Sequence, residues 1–154
     1  MKTLFYLSTI VLLLNSCDPA VYKEIYRNNT DYTLHFYIAD SPEIEFLYPD
    51  TIIAVNEVKF GEPSASIRSG SYVNVGGFGK VEEIFKYLPK DTLSVYFFHP
   101  DTLAKYPWET IRKEYNILKR YDLSIEDMQL LDYEIAYPPT EMMKDIKMYP
   151  PYGE

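Results

Sequence analysis

Residues 93–99, with the sequence Leu-Ser-Val-Tyr-Phe-Phe-His, form the most β-prone run of the chain. Aromatic and β-branched residues suit a pleated surface, and apolar side chains fall on both faces of this run. The pattern therefore predicts a central strand that is covered on both sides, and Pro100 ends it. The other predicted strands and helices have to be arranged around it.

Further strands are indicated elsewhere in the chain. Segments 21–27 and 32–39 are rich in Tyr, Ile and Phe and flank the polar run 28–31, so they predict a β-hairpin. In the second arm, Leu34, Phe36 and Ile38 share one face, which predicts that this face is core. We also expect a loop over 61–70, a strand end at Gly76-Gly77, and strands at 44–48, 51–58, 71–75 and 133–137.

Two helices are predicted from apolar spacing and from proline signals. The first has Glu82 and Glu83 in its first turn and Pro89 as its stop, and its apolar positions are Val81, Ile84, Phe85 and Leu88. The second opens at Pro107 and carries a favourable Glu109–Lys113 pair four residues apart. Its apolar face comprises Trp108, Ile111, Tyr115 and Leu118.

A third helix is indicated by Ser124 and Asp127, which have the spacing of a capping box and precede the inward-facing positions Ile125, Met128 and Leu131. The strands and helices show no regular strand-helix-strand cadence. They therefore favour an α+β fold, mainly antiparallel β, with two or three short helices, over a Rossmann-type fold. A β-sandwich with helical insertions is the variant left open.

The N-terminal segment has the layout of a processing signal. Lys2 is followed by an apolar stretch over 3–14, which is too short to cross a bilayer as a helix. Leu14, Ser16 and Cys17 resemble the cleavage site of bacterial lipoproteins. That resemblance implies that Leu14 and Ser16 are read by the signal peptidase and that Cys17 receives the lipid. A conventional secretory signal with an incidental cysteine is the alternative.

The resemblance divides the chain into a removed signal over 1–16, a lipidated cysteine with a short tether over 17–20, and one β-rich domain over 21–154 with a Pro/Tyr-rich tail. It implies a location in the cell envelope, held at the outer membrane by the lipid on Cys17, with the periplasmic and surface-facing orientations both open. Because Cys17 is the only cysteine, the domain is expected to fold without disulfides.

A second resemblance covers the distal part of the chain. Segment 119–127 reads KRYDLSIED, and segment 133–139 ends in Tyr137-Pro138-Pro139. Together with the signal, these segments resemble small uncharacterised lipoproteins of gut Bacteroidetes. The resemblance implies an envelope location and no particular activity.

The sequence assigns no catalytic residue, metal or cofactor. The glycines of 76–80 precede a helix, but Asn74 and Val81 break the phosphate-loop pattern, so a glycine turn is expected there. His35 and His99 lack neighbouring ligands at metal spacing, and no Gly-x-Ser-x-Gly elbow exists. Nucleic acid is an unsuitable partner because 23 Asp and Glu outnumber 15 Lys and Arg.

Binding is the function that the composition favours. The chain has 16 tyrosines, which either supply rigid, amphipathic contact area for a protein or glycan ligand on an aromatic face or fill an antiparallel sheet as half-buried strand residues. The proline-tyrosine segments 137–139 and 149–152 either pack along the domain or are presented to a partner. Four basic residues lie close together in the sequence: Arg112, Lys113, Lys119 and Arg120. They are interpreted as a charge-paired helix face, and a patch that binds an anionic ligand is the alternative.

The leading hypothesis is therefore a lipid-anchored, non-catalytic envelope protein that binds a partner or glycan or supports an outer-membrane assembly. One alternative is a small envelope hydrolase that uses His35 or His99 with the acidic residues Glu43 or Glu45. Another is an immunity lipoprotein that neutralises a competitor's toxin. A deep cleft with convergent ionisable groups would favour the hydrolase, whereas an exposed aromatic face would favour binding.

Overall fold

The computed structural model describes residues 21–39 and 65–154. Within these ranges the chain forms two mostly antiparallel sheets with short helices, which confirms the predicted α+β class. One sheet has three strands in the order β4-β1-β7, and the other has five in the order β3-β2-β5-β6-β8. The strands are β1 Val21–Asn28, β2 Leu34–Ala39, β3 Ala65–Ile67, β4 Tyr72–Phe78, β5 Leu93–Phe98, β6 Lys119–Leu123, β7 Glu134–Tyr137 and β8 Lys147–Tyr149.

The helices are short, and the second, third and fourth of them begin at a proline or at a capping side chain. The capping box is confirmed, because Ser124 Oγ accepts from Asp127 N and the Asp127 carboxylate accepts from Ser124 N. Tyr115, at φ 56°, ends the helix that follows Pro107, so Leu118 lies outside that helix. The helices are α1 Val81–Phe85, α2 Pro100–Lys105, α3 Trp108–Glu114 and α4 Ile125–Leu130, with 3-10 turns at Pro89–Asp91 and Glu141–Met143.

Strand β5 is the middle strand of the five-stranded sheet, as its sequence predicts, and all six of its residues are buried. Its alternate residues enter two different clusters. Val95 and Phe97 belong to the core between the sheets, together with Tyr26 of β1. Tyr96 and Phe98 enter a second cluster on the opposite face, where Ile111 of α3 covers them. The central strand therefore separates two apolar layers.

The predicted hairpin between β1 and β2 is wrong, because the two strands belong to different sheets. The crossing is organised by Asn28, whose side chain is buried. Its amide nitrogen donates to the carbonyl oxygens of Tyr32 at 2.7 Å and Ile67 at 2.9 Å, while its oxygen accepts from Thr30 N at 2.9 Å. These bonds satisfy two backbone groups of the connection between β1 and β2 and one of β3.

Other boundaries also differ from the predictions. Strand β4 continues through Gly76 and Gly77, which pair with β1, and the chain turns instead at Gly79, where φ is 108°. The expected loop over 61–70 contains β3. Segment 133–137 does form a strand, β7, but β7 runs parallel to β1 and is followed by β8. The predicted strands 44–48 and 51–58 lie outside the described residues.

Candidate binding pocket

Lys119, the first residue of strand β6, is buried and forms hydrogen bonds with the last residues of the described chain. Lys119 is only 4% exposed. Its Nζ donates to the carbonyl oxygen of Pro150 at 2.9 Å, to that of Pro151 at 3.2 Å and to the main-chain oxygen of Glu154 at 3.1 Å. An ammonium group has three donors, so these acceptors use all of them. Residues 150–154 are called the C-terminal strap below.

The strap follows β8, which pairs antiparallel with β6, so the tail packs along the domain. Burial lowers the pKa of Lys119, and the nearby Glu154 carboxylate opposes that effect in part. The carbonyl oxygens of the strap therefore surround a partly desolvated positive charge. This arrangement fixes the position of the strap by directional bonds.

A pocket of about 280 Å³ lies between the strap and segment 137–139. Lys119 and Leu118 contribute to it from the body of the domain, and Glu154 contributes from the strap. Flat side chains account for much of the remaining wall: Tyr137, Tyr152, Pro138 and Pro139. The pocket thus combines apolar ring surfaces with a charged group of each sign.

Both tyrosines contact other side chains. The ring of Tyr137 stacks on Phe97, with 5.4 Å between the centroids, and its hydroxyl is hydrogen-bonded to Tyr32. Burial, with the Tyr32 contact, raises the pKa of Tyr137, which keeps it a neutral phenol. The Tyr152 hydroxyl donates to Glu141 Oε2 at 3.2 Å. The ring of Tyr137 is therefore oriented without a ligand, whereas Tyr152 is 38% exposed and has one hydrogen bond at the surface.

The four cations considered in the sequence lie in two different settings. Arg112 and Lys113 are on α3 and contact Glu109 at 2.8 and 3.4 Å, which confirms the charge-paired helix face for these two. For Lys119 and Arg120 the helix-face interpretation is wrong, because both lie on the buried strand β6. Each cation has partners within the protein, so the four do not form one open anionic-ligand patch.

Arg120 is the centre of a buried polar group on the helix-covered face of the sheet. It is 0% exposed, its Nη2 lies 3.1 Å from Asp122 Oδ2, and Ser94 Oγ donates to Asp122 Oδ1 at 2.6 Å. The rings of Tyr96 and Tyr115 lie 5.9 and 5.8 Å from the guanidinium carbon. Burial opposes the charge, but Asp122 and the two phenols outweigh it and raise the pKa of Arg120.

The two histidines are placed on opposite faces of the five-stranded sheet. His35 alternates with the core residues Leu34 and Phe36, so it points to the other face. His99 follows Phe97 by two positions, its ring lies 4.5 Å from that of Tyr32, and its Nδ1 accepts from Asp101 N at the start of α2. The structure therefore does not bring His35 and His99 together.

The remaining candidate residues lie outside the described residues: the signal residues Leu14, Ser16 and Cys17, and the carboxylates Glu43 and Glu45. Across 21–39 and 65–154, no group of three or more His, Cys, Asp and Glu side chains is placed to hold a metal ion. Over the same ranges, no helix is long and apolar enough to cross a membrane.

Sequence reasoning singled out segments 137–139 and 149–152 but did not connect them with Lys119. The signal available in the sequence was weak, because Lys119, Arg120 and Asp122 make three of the five residues of β6 charged, and such a run indicates a solvated surface. The contacts that complete the pocket join residues far apart in sequence, so spacing could not reveal them. No family model matches the chain, and neither the curated proteins nor the solved structures contain a significant match to it.

Proposed function

We propose that this chain is a lipid-anchored protein of the bacterial cell envelope, held at the outer membrane through Cys17, and that it binds a ligand without transforming it. The anchoring half of the proposal rests on the resemblance of Leu14, Ser16 and Cys17 to a lipoprotein signal. The binding half rests on one observation, the pocket between segment 137–139 and the C-terminal strap.

The state of the ionisable groups around the pocket supports binding over catalysis. Lys119 has all three donors on main-chain oxygens, so it keeps none for a reacting group. The raised pKa of Tyr137 makes its phenol a poor base near neutral pH. The packed ring of Tyr137, in contrast, lowers the ordering cost of binding, because little of its side-chain freedom remains to be lost.

Anchoring is tested by expressing wild type and a Cys17→Ala variant and measuring the intact mass of the membrane-bound protein. We expect wild type to fractionate with membranes and to carry the added acyl mass, and the variant to lose both. An unmodified Cys17 in the membrane fraction would contradict this half of the proposal. Ser8→Ala, in the apolar stretch, is the matched control that should leave the lipid in place.

Binding is tested by passing native envelope extract over immobilised wild type, Tyr152→Ala and Tyr87→Ala and identifying the retained molecules. Tyr152 borders the pocket, whereas Tyr87 is 70% exposed and lies outside it, so the second variant controls for loss of a surface phenol. We expect a ligand that wild type and Tyr87→Ala retain and that Tyr152→Ala loses. Equal retention by all three would refute the pocket as the binding site.

The hydrolase alternative is tested with a His35→Gln, His99→Gln double variant whose fold is first checked by a thermal melt. Losing a general base typically costs about 10² to 10⁴ in rate. We expect the double variant to keep both ligand retention and the cellular phenotype of wild type. Loss of the phenotype with binding intact would replace the binding proposal by the enzyme.

A further inference from the structure

We infer that the pocket takes an uncharged saccharide of one or two rings, an inference that rests on the proposed binding function. The first step concerns charge. Lys119 and Glu154 place a cation and a carboxylate at the same pocket. The protons of Lys119 are already bonded to the strap, so an anionic ligand would meet Glu154 without gaining a hydrogen bond from the ammonium.

A cationic ligand is attracted by Glu154 but also meets a like charge at the same pocket. The Lys119 ammonium stays at the pocket whether or not a ligand is bound, because its bonds to Pro150 and Pro151 maintain the strap. A second cation placed there would be repelled at short range in a partly desolvated site. A ligand of either sign therefore meets one like charge and one opposite charge, so the pocket gives no net preference for a cation or an anion, whereas a neutral ligand meets no like charge.

The second step concerns shape and surface. The rings of Tyr137 and Tyr152 and the neighbouring prolines offer flat apolar faces, which suit the C–H face of a sugar ring. The carboxylate of Glu154 accepts hydrogen bonds from hydroxyl groups, and the oxygen of Tyr152, which donates to Glu141, retains acceptor capacity. A saccharide presents both kinds of surface at once.

The third step concerns size. The pocket volume of about 280 Å³ is near the lower end of the range for small-molecule sites, about 300 to 1,000 Å³. A site of this size encloses one or two rings and leaves a longer glycan projecting into solvent. An extended proline-rich peptide, which needs a groove that follows its length, fits this pocket less well.

The test uses saturation-transfer NMR and calorimetry with the purified full chain, extracted from membranes in detergent. The probes are the methyl pyranosides of glucose, galactose, mannose and N-acetylglucosamine, with glucuronic acid and glucosamine as charged analogues. We expect at least one neutral probe to bind, and to bind at least tenfold more tightly than glucuronic acid and glucosamine. Tyr152→Ala should weaken that binding at least tenfold, and Tyr87→Ala should leave it within twofold.

The inference fails if no neutral probe binds, if a charged analogue binds as tightly as the neutral one, or if Tyr152→Ala binds like wild type. Its failure can be told apart from failure of the proposed function. If envelope extract yields a protein or peptide that depends on Tyr152 while no sugar binds, only the saccharide inference is lost. If nothing retained from the extract depends on Tyr152, the pocket loses its function as well.

Discussion

Replacing Lys119 by methionine removes the ammonium group and keeps most of the apolar stem. A hydrogen bond to a charged group contributes about 1.5 to 3 kcal/mol to stability. The three bonds of Lys119 therefore set a large upper limit on the free energy of unfolding that the substitution can remove. The net loss is smaller, because burial of the charge opposes these bonds and a released strap exposes its carbonyls to water. We expect the free energy of unfolding to fall by about 2 kcal/mol.

The structural effect of Lys119→Met should be confined to the C-terminal strap. Strand β8 remains anchored because Met148, only 3% exposed, lies in the core between the sheets. Release should therefore be confined to the strap, and backbone NMR relaxation should show faster motion at residues 152–154 with β8 unchanged. Denaturant unfolding measures the accompanying change in stability, and sugar binding should weaken because the strap forms a pocket wall.

Lys113→Met is the matched control for this experiment. Lys113 is an exposed lysine whose Nζ lies 3.4 Å from Glu109, and pairs of this kind contribute about 0 to 1 kcal/mol. The control should change neither strap motion nor sugar binding. A Lys119→Met protein with wild-type stability and a rigid strap would refute the conclusion that Lys119 fixes the C-terminal strap.

Three further predictions concern stability. Asn28→Ala should cost about 3 kcal/mol in urea unfolding, because it removes the side-chain donor from the carbonyl oxygens of Tyr32 and of Ile67 in β3; a loss below about 1 kcal/mol would contradict this. The hydrogen bond from Arg27 lowers the pKa of Glu134 below 4.5, so their contribution is present above pH 4.5 and is lost as pH falls through the folded pKa. Glu134→Gln should therefore flatten the acid side of a melting-temperature profile, and an unchanged slope would count against the pair. Burial raises the pKa of three phenols, those of Tyr96, Tyr121 and Tyr137. An alkaline absorbance titration should therefore show these three ionising only as the chain unfolds. Ionisation of all tyrosines before unfolding would disprove this prediction.

The elements that could be predicted are those whose signals are local. Strand β5 is apolar on both faces because layers cover both of its sides, and Ser124 with Asp127 caps α4 through bonds made within one turn. In each case the residues that carry the signal also make the stabilising contact. A local sequence pattern is then sufficient to predict the element, because its structure does not depend on residues far away in the sequence.

The elements that were missed depend on distant partners. Strand β6 contains Lys119, Arg120 and Asp122, which a local reading assigns to a solvated surface. They are buried because the strap and the neighbouring strand β5 supply their hydrogen bonds. The pocket could not be predicted for the same reason, whereas the tyrosine and proline segments that form its walls were recognisable in the sequence.

The strand order also sets a time order for folding. Strand β1 comes first among the described strands, yet its two neighbours in the sheet are β4 and the much later β7, with Ile25 opposite Glu134. Non-local pairing of this kind slows folding, because the entropy cost of closing a long loop comes before the stabilising contacts between the strands can form. A chain that emerges from its N-terminal end must keep β1 unpaired on one side until most of its length is out.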